Sequence, residues 1–528
     1  MRIRARLAVG SRLVLGLALA AAVGSPAAPA GADPLEFLPV GDPIESELRV
    51  LDLLDPAPLG GRIALPRLHT RPLQRFEIEG TGAAPDLSPL YSISLARIER
   101  ALARDAVPGF APRAGLASTP RLLERDGGDG TRLEASAGIE GRGDVDLHAS
   151  RFASGSGLHT RFGAAFERWI VFAHLVTGRI EHARAFADPI VPGSDLILHT
   201  EESYLGYAAP SGRWAMQLGR SRWHWGPGEE AALTLSRTSP ALTGFAMRGR
   251  LPALRLDASA LSATLRPAGG EQLAVHRLEW QALPSLRLGV TEMARYRSET
   301  WQPLYLSGVV PYILLQRIAT QDEPDSAGAN RNNVVAAADA AWRVAPGTRI
   351  YGELLVDDLQ ARTGKVPNKL AFQLGLEGAG PLGRTRVTWG TEYTRLSRFV
   401  YTSFFGRTFE AQGRPIGFFT GPDARRVRVR GGLDLGADWQ VRAAGALTDQ
   451  GESGLDQPFV PGSPRVESLD FLGVIERTRE LELGVRWWPA SGVDMALAGG
   501  YRWIDNQAHI EGRDDRSAFG SLELRLTR

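Results

Sequence analysis

The chain has 528 residues, 61 Lys+Arg against 59 Asp+Glu, a mean hydropathy of −0.14 and no cysteine. Nearly balanced charge argues against a nucleic-acid partner, and the lack of cysteine excludes disulfides, thiolate metal sites and thiol nucleophiles. Length alone allows several soluble domains or one large barrel.

Arg2, Arg4, Arg6 and Arg12 precede an apolar run from Leu13 to Val23, and Ala30, Gly31 and Ala32 have the form of a small-residue cleavage site. This predicts a cleavable signal peptide over 1–32, export, and a mature charge of about −2. The apolar run is shorter than the roughly 20 residues a spanning helix needs.

Residues 33–107 read as a small helical segment, a plug or a periplasmic piece. Asp42, Pro43 and Glu45 have the form of an N-cap, a first-turn proline and a capping-box partner, with Ile44, Leu48 and Leu51 on one face. Thr70 and Pro72 could open a second helix. Ser88 and Pro89 open a third, on which Tyr91, Leu95, Ile98 and Leu102 repeat at helical spacing. Residues 108–130, rich in Pro, Gly and Asp, read as a linker.

From Thr131 to Arg528 the period becomes two, as where Leu481, Leu483, Val485 and Trp487 alternate with Glu482, Gly484 and Arg486. A strand points successive side chains to opposite faces, so each segment has one oily and one polar side. Strands are expected at 213–219, 254–265, 273–283, 286–296, 349–357, 384–395, 426–435, 439–447, 480–488, 493–503 and 518–526. The predicted fold class is all-β: a large antiparallel transmembrane β-barrel of about 18 strands over 131–528. Turn signals at Ser211–Gly212, Gly436–Asp438 and Pro489–Gly492 suit a periplasmic rim, and the polar stretches 321–333 and 450–465 suit an outer rim.

Faces follow from phase. Val427, Val429, Leu433 and Leu435 share one side of their strand, and Arg426, Arg428, Arg430 and Asp434 the other. Charge is assigned to the lumen because an arginine facing lipid near the midplane costs about 2 to 4 kcal/mol. Arg384, Arg386 and Glu392 oppose Val387, Trp389 and Tyr393 in the same way. Trp439, Trp487, Tyr501 and Trp503 fall near strand ends, where an interfacial girdle belongs. Glu292 breaks the rule, lying in phase with Leu286, Leu288 and Val290, and calls for a bulge, a rim position or the opposite face.

In the tract Arg220, Ser221, Arg222, Trp223, His224, Trp225, Gly226, Pro227, Gly228, guanidinium groups suit carboxylates and indole faces suit a pyranose ring. A strand end with girdle tryptophans and a tight turn is the simpler account, since turn chemistry explains the glycines and proline unaided. Glu353 and Asp357 share a strand face and could be paired carboxylates or a cation site. They fit more simply into a lumen charge network with Arg384, Arg386, Arg426, Arg428 and Arg430. Gly378, Gly380 and Gly383 match the letters of a dinucleotide fingerprint, but a strand follows at once, so a hairpin turn is expected. The nine histidines show no zinc-protease spacing, His199 with Glu201 lacks downstream cysteines, and no Gly-x-Ser-x-Gly occurs. No catalytic residue, metal or cofactor is expected.

Together these tracts resemble the Wzi-like capsule-assembly family of outer-membrane barrels. The resemblance runs from Leu38–Pro43 and Arg71–Pro72 through Trp225–Gly228, His276–Arg277, Tyr351–Asp358 and Glu392–Tyr393 to Pro415–Gly417 and Gly421–Asp423. It departs at Arg237–Pro240, where the family commonly carries Asn, Ala, Arg and Pro, and at Arg528, where such barrels usually end on an aromatic. The resemblance implies an outer-membrane protein that binds or anchors capsular or exopolysaccharide, with Arg220, Arg222, Trp223 and Trp225 as candidate contacts. Outer-membrane lipid and the outer-membrane assembly machinery are the other implied partners. The competing reading is an anion-preferring diffusion channel with an arginine-lined lumen.

Overall fold

A computed structural model describes residues 40, 43–54, 69–73, 89–102, 123–127, 131–146, 151–180, 196–209, 213–266, 269–308, 310–319, 332–358, 367–383, 385–460, 469–490 and 493–527. The alternating segments become eighteen long strands. They are β1 (Thr131–Asp146), β2 (Arg151–Phe166), β3 (Trp169–Ile180), β4 (Leu196–Ala208), β5 (Trp214–Ser221), β6 (Leu242–Leu251), β7 (Leu256–Arg266), β8 (Glu271–Leu283) and β9 (Leu286–Arg297), followed by β10 (Asn333–Ala345), β11 (Thr348–Asp358), β12 (Lys369–Leu382), β13 (Thr385–Leu396), β14 (Ala424–Leu435), β15 (Trp439–Gln450), β16 (Glu476–Ala490), β17 (Val493–Asp505) and β18 (Asp515–Thr527). Each pairs antiparallel with its chain neighbours, and β18 returns to β1 from Phe519↔Asp146 to Thr527↔Gly138, closing the barrel. Closure pairs both edges of each of the eighteen long strands, as a ladder surrounded by lipid requires.

The assigned faces hold. Val429, Leu481, Leu483, Leu497 and Leu522 are exposed on the outer wall, while Arg386 and Asp434 are wholly buried inside. Among the described residues no helix is long and apolar enough to cross a membrane. Connections alternate in length around the ring. One rim carries short turns such as 252–255, 284–285, 346–347 and 436–438, and the other carries the long segments 222–241, 298–332, 397–423 and 451–475. Exposed Trp214, Trp280, Trp342 and Trp439 all lie at or near the short-turn rim, where Trp439 stacks on Trp487 across the β15–β16 ladder, centroids 5.0 Å apart. That is the interfacial girdle expected of amphipathic rings.

Glu292 keeps its outward phase, and its pairing with His276 and Ala336 shows no bulge there. The compensation comes from two helices laid on the outer face of β7 to β10, α3 (Pro303–Leu306) and α4 (Tyr312–Ala319), numbered after two helices near the N-terminus. Glu292 accepts the Tyr312 N–H at the start of α4 (2.8 Å), and its other neighbour is His276 Nε2 at 2.9 Å. A carboxylate at a helix N-terminus satisfies an orphan N–H and meets the positive end of the dipole. Tyr296, Tyr305, Tyr312 and Leu315 pack over the small residues Ala274 and Ala294 to seat the helices.

Three expectations need correction. Thr70–Arg71 does not begin a helix: it is extended and pairs antiparallel with His224–Trp225. The last part of the expected linker, Leu123–Gly127, is a strand paired to the start of β1, while 108–122 and the signal peptide 1–32 lie outside the described residues. Gly378 and Gly380 belong to β12 and only Gly383 turns; a Cβ on Gly378 would come within 2.5 Å of the Trp389 ring.

Candidate functional site: the filled lumen

α1 (Pro43–Leu54) and α2 (Pro89–Leu102) pack on each other at the short-turn mouth. Ile44, Leu48 and Leu51 are buried as their spacing predicts, but so are Glu45, Glu47 and Arg49 on the rest of α1. Buried charge is costly unless paired, and here it meets the lumen charges of the wall. Arg49 Nε lies 2.8 Å from Glu377 of β12, which also binds Arg349 and takes a third guanidinium, Arg430, at 2.9 Å. Glu47 contacts Arg97 of α2 (2.8 Å) and Arg386 of β13 (2.9 Å), both of which reach Asp434 of β14 (2.7 and 2.6 Å). Arg97 also donates to the turn carbonyls of Gly436, Ala437 and Trp439. Glu45, expected as a capping-box partner, pairs instead with Arg71 at 2.9 Å, and Asp42 lies outside the described residues. The two arginine salt bridges, with a serine hydrogen bond from Ser94, hold the Glu47 carboxyl below its ordinary value although burial opposes them.

The second layer is made where chain from the two rims meets inside the barrel. Thr70–Arg71 pairs with His224–Trp225, the Gly226 N–H donates to the His69 carbonyl (2.9 Å), and the Trp225 N–H donates to Leu235 (2.9 Å). Gly226 has φ +147°, and a Cβ there would come within 2.8 Å of both Ala232 and the Glu353 carboxylate. Thr70 donates to Glu279 and accepts from Arg277, whose guanidinium reaches Asp339 at 3.0 Å. The long segments 222–241 and 397–423 then build an apolar core within the lumen, including Trp223, Trp225, Leu233, Leu235, Tyr401, Phe409, Ile416 and Phe418. Burial first, and nearby arginines second, push His69 and His224 well below the ordinary histidine value, so both are neutral.

Of the residues singled out from sequence, Arg386, Arg426, Arg428 and Arg430 enter lumen ion pairs; Arg426 and Arg428 both reach Glu230, and Arg430 also reaches Glu229. Arg384 lies outside the described residues. Glu353 and Asp357 face the lumen but anchor folded-in backbone, accepting the N–H groups of Leu233 (3.0 Å) and Tyr401 (2.7 Å). Neither makes an ion pair among the described residues, so their place in the expected network is corrected to that of loop anchors. Trp223 and Trp225 are 2% and 1% exposed, set edge to face with centroids 6.4 Å apart, and present no ring face to a polymer. Arg220 and Arg222 are half-buried, donating to the carbonyls of Thr200 and Ser239. Sequence reasoning missed Glu47, Arg49 and Arg97, and it gave Glu45 a capping role and Arg71 no partner. The available signal was the charge around the rest of an amphipathic helix that precedes an arginine-lined barrel.

A cavity of about 140 Å³ remains between α1 and the wall, lined by Ser46, Val50, Arg428, Arg430, Arg442 and Glu482 among others. Among the described residues no cluster of three or more His, Cys, Asp or Glu could hold a metal ion.

No family model matches the chain, and no curated protein matches it in sequence. Its fold is similar to that of Wzi from Escherichia coli, a carbohydrate-binding β-barrel of the outer membrane involved in group 1 capsule assembly, at a TM-score of 0.63 and 16% identity, covering 94% of this chain and 99% of that one. OprD of Pseudomonas aeruginosa aligns at a TM-score of 0.42 and 10% identity over 75% of this chain and 95% of that one. At 16% identity, the likeness to Wzi is one of fold: a large membrane-spanning β-barrel.

Proposed function

We propose that this chain is an outer-membrane barrel that binds or anchors capsular or exopolysaccharide at the cell surface and carries out no chemistry. The observation that supports this reading most is the filling of the lumen by two layers, one of helix and one of folded-in loop, each tied to the wall by buried charge or hydrogen bonds. A diffusion channel needs a continuous wet path, whereas an anchor needs a rigid body with long loops outside. The short-turn rim with α1 and α2 faces the periplasm, the long loops face outward, and residues 1–32 direct export and are removed. Within the Arg/Trp tract, Trp223 and Trp225 set the packing, and Arg220 and Arg222 remain the candidate polymer contacts.

The test pairs two measurements on the full mature chain. Surface-retained polysaccharide is compared between wild type and Arg220→Ala/Arg222→Ala with the barrel folded, and retention is expected to fall. Single-channel recording in planar bilayers is expected to give no steady open pore. The cavity beside α1, with Arg428, Arg430 and Arg442 along it, favours the channel as the second reading. A steady anion-selective conductance would establish that reading and remove the anchor.

A further inference from the structure

The outer wall carries one concentration of charge that the lumen does not use. At the long-loop ends of β14 to β18 the outward positions hold Arg425, Asp449, Arg477, Arg479, Asp505 and Arg516, four guanidinium groups against two carboxylates. They share the outward phase of Val429, Leu481 and Tyr501, which are exposed below them. Along β15 the outward row runs from the girdle residue Trp439 to Asp449, ten residues later. A rise of about 3.3 Å per residue at a tilt of roughly 40° puts Asp449 about 25 Å above Trp439, the height of a barrel's apolar band. The charged cluster therefore stands at the level of the lipid headgroups on the long-loop side.

The cluster is built rather than scattered. Asp449, 1% exposed, accepts from Arg477 Nε at 2.6 Å and from Arg425 Nε at 3.1 Å, so one buried carboxylate fixes two guanidinium groups that each stay 40% exposed. Arg479 pairs with Asp505 at 2.9 Å. Arg479 and Arg516 flank Trp503 in register on either side, and Arg516 makes no ion pair among the described residues. Fixed guanidinium forks with free N–H edges match the geometry of phosphate oxygens, and an exposed apolar wall directly beneath them matches acyl chains.

We propose that this face seats a membrane lipid with a phosphate-monoester headgroup, the phosphate between Arg477 and Arg516, with Arg425 clamped beside Arg477 and adding its charge, and the chains along Val429, Leu481 and Tyr501. The lipid, and not free phosphate, is the occupant because the apolar wall continues the site downward. This proposal rests on the membrane-spanning fold and is independent of polysaccharide binding.

The mature protein is reconstituted in nanodiscs of phosphatidylcholine doped with phosphatidic acid, and the lipid retained on the released barrel is identified by native mass spectrometry. Wild type is expected to keep phosphatidic acid selectively. Each arginine replaced is expected to weaken that retention about fivefold, the weight of one basic residue at a charged membrane surface. Arg425→Gln/Arg477→Gln tests the clamped pair, and Arg516→Gln tests the cluster without breaking an ion pair, with heat-modifiable gel migration reporting the fold of each. Equal retention of both lipids by wild type, or undiminished retention by folded R516Q and R425Q/R477Q, overturns the proposal. So does displacement of the lipid by millimolar inorganic phosphate, which would make the site one for free anions.

Discussion

Arg386 joins the wall to the plug: its Nε lies 2.6 Å from Asp434 on the neighbouring strand and its Nη2 2.9 Å from Glu47 of α1, with both carboxylates buried. Removing one partner from such a set leaves uncompensated charge in a water-poor interior. Arg386→Leu is expected to destabilise the folded barrel by about 3–5 kcal/mol, read as a lower denaturant midpoint in detergent. The same variant should loosen α1, seen as faster hydrogen exchange over 43–54. Unchanged exchange there would mean that Arg386 does not hold the helix.

The filled lumen should weaken in acid. His69 and His224 have folded values well below the ordinary 6.5, so they bind protons less readily folded than unfolded. Their contribution is complete above pH 6.5 and is lost as pH falls below it, because the unfolded state then binds more protons. Glu47, whose value is also lowered, acts in the same direction below its ordinary 4.5. Protection over 69–73 and 222–241, taken relative to the intrinsic exchange rate at each pH, should therefore fall from pH 7 to pH 5, and His69→Phe should flatten that dependence. A flat profile in wild type would remove the histidines from the account.

Glu292 gives a test on the outer wall. Glu292→Leu matches lipid better but strips the N-terminus of α4 of its acceptor, costing about 1–2 kcal/mol of local stability, while Glu292→Gln keeps an acceptor oxygen and should lose less. Protease nicking between Ser298 and Asn332 in reconstituted protein should follow the order Leu, then Gln, then wild type. Equal nicking in all three would mean that α4 is held by its tyrosines alone.

Gly226 tests the second layer. An alanine there meets Glu353 and Ala232 from a φ that L-residues avoid, so Gly226→Ala is expected to cost about 1–3 kcal/mol and to expose Trp225. The expected readout is a red shift in tryptophan emission without loss of strand content by circular dichroism. An unshifted spectrum would place the strain elsewhere.

The wall was legible in sequence because a period of two is a local property: β14 shows its lipid and lumen faces through Val427, Val429, Arg428 and Arg430 alone. The filling was not. Thr70 and Pro72 carry a helix-opening pattern, yet the chain there is extended because a ladder with His224–Trp225 outweighs local preference. The composition of the Arg/Trp tract suits both a ligand surface and a packed turn, and it does not say that segments 222–241 and 397–423 fold inward to make a private core. The phase of β9 marks Glu292 as an exception, but its helix partner comes twenty residues later and shares no period with its strand.

Glu47 and Arg386 lie 339 residues apart. α1 leads the barrel strands along the chain, yet Glu377 and Arg386, which neutralise its charges, belong to the twelfth and thirteenth of the eighteen strands. The helix has no docking place until most of the cylinder exists, and the cylinder shuts only when β18 reaches β1. Its arrival is thus a checkpoint on assembly: a truncated or misregistered wall deprives Glu47 of Arg386 and Arg49 of Glu377, and the opening stays unstoppered.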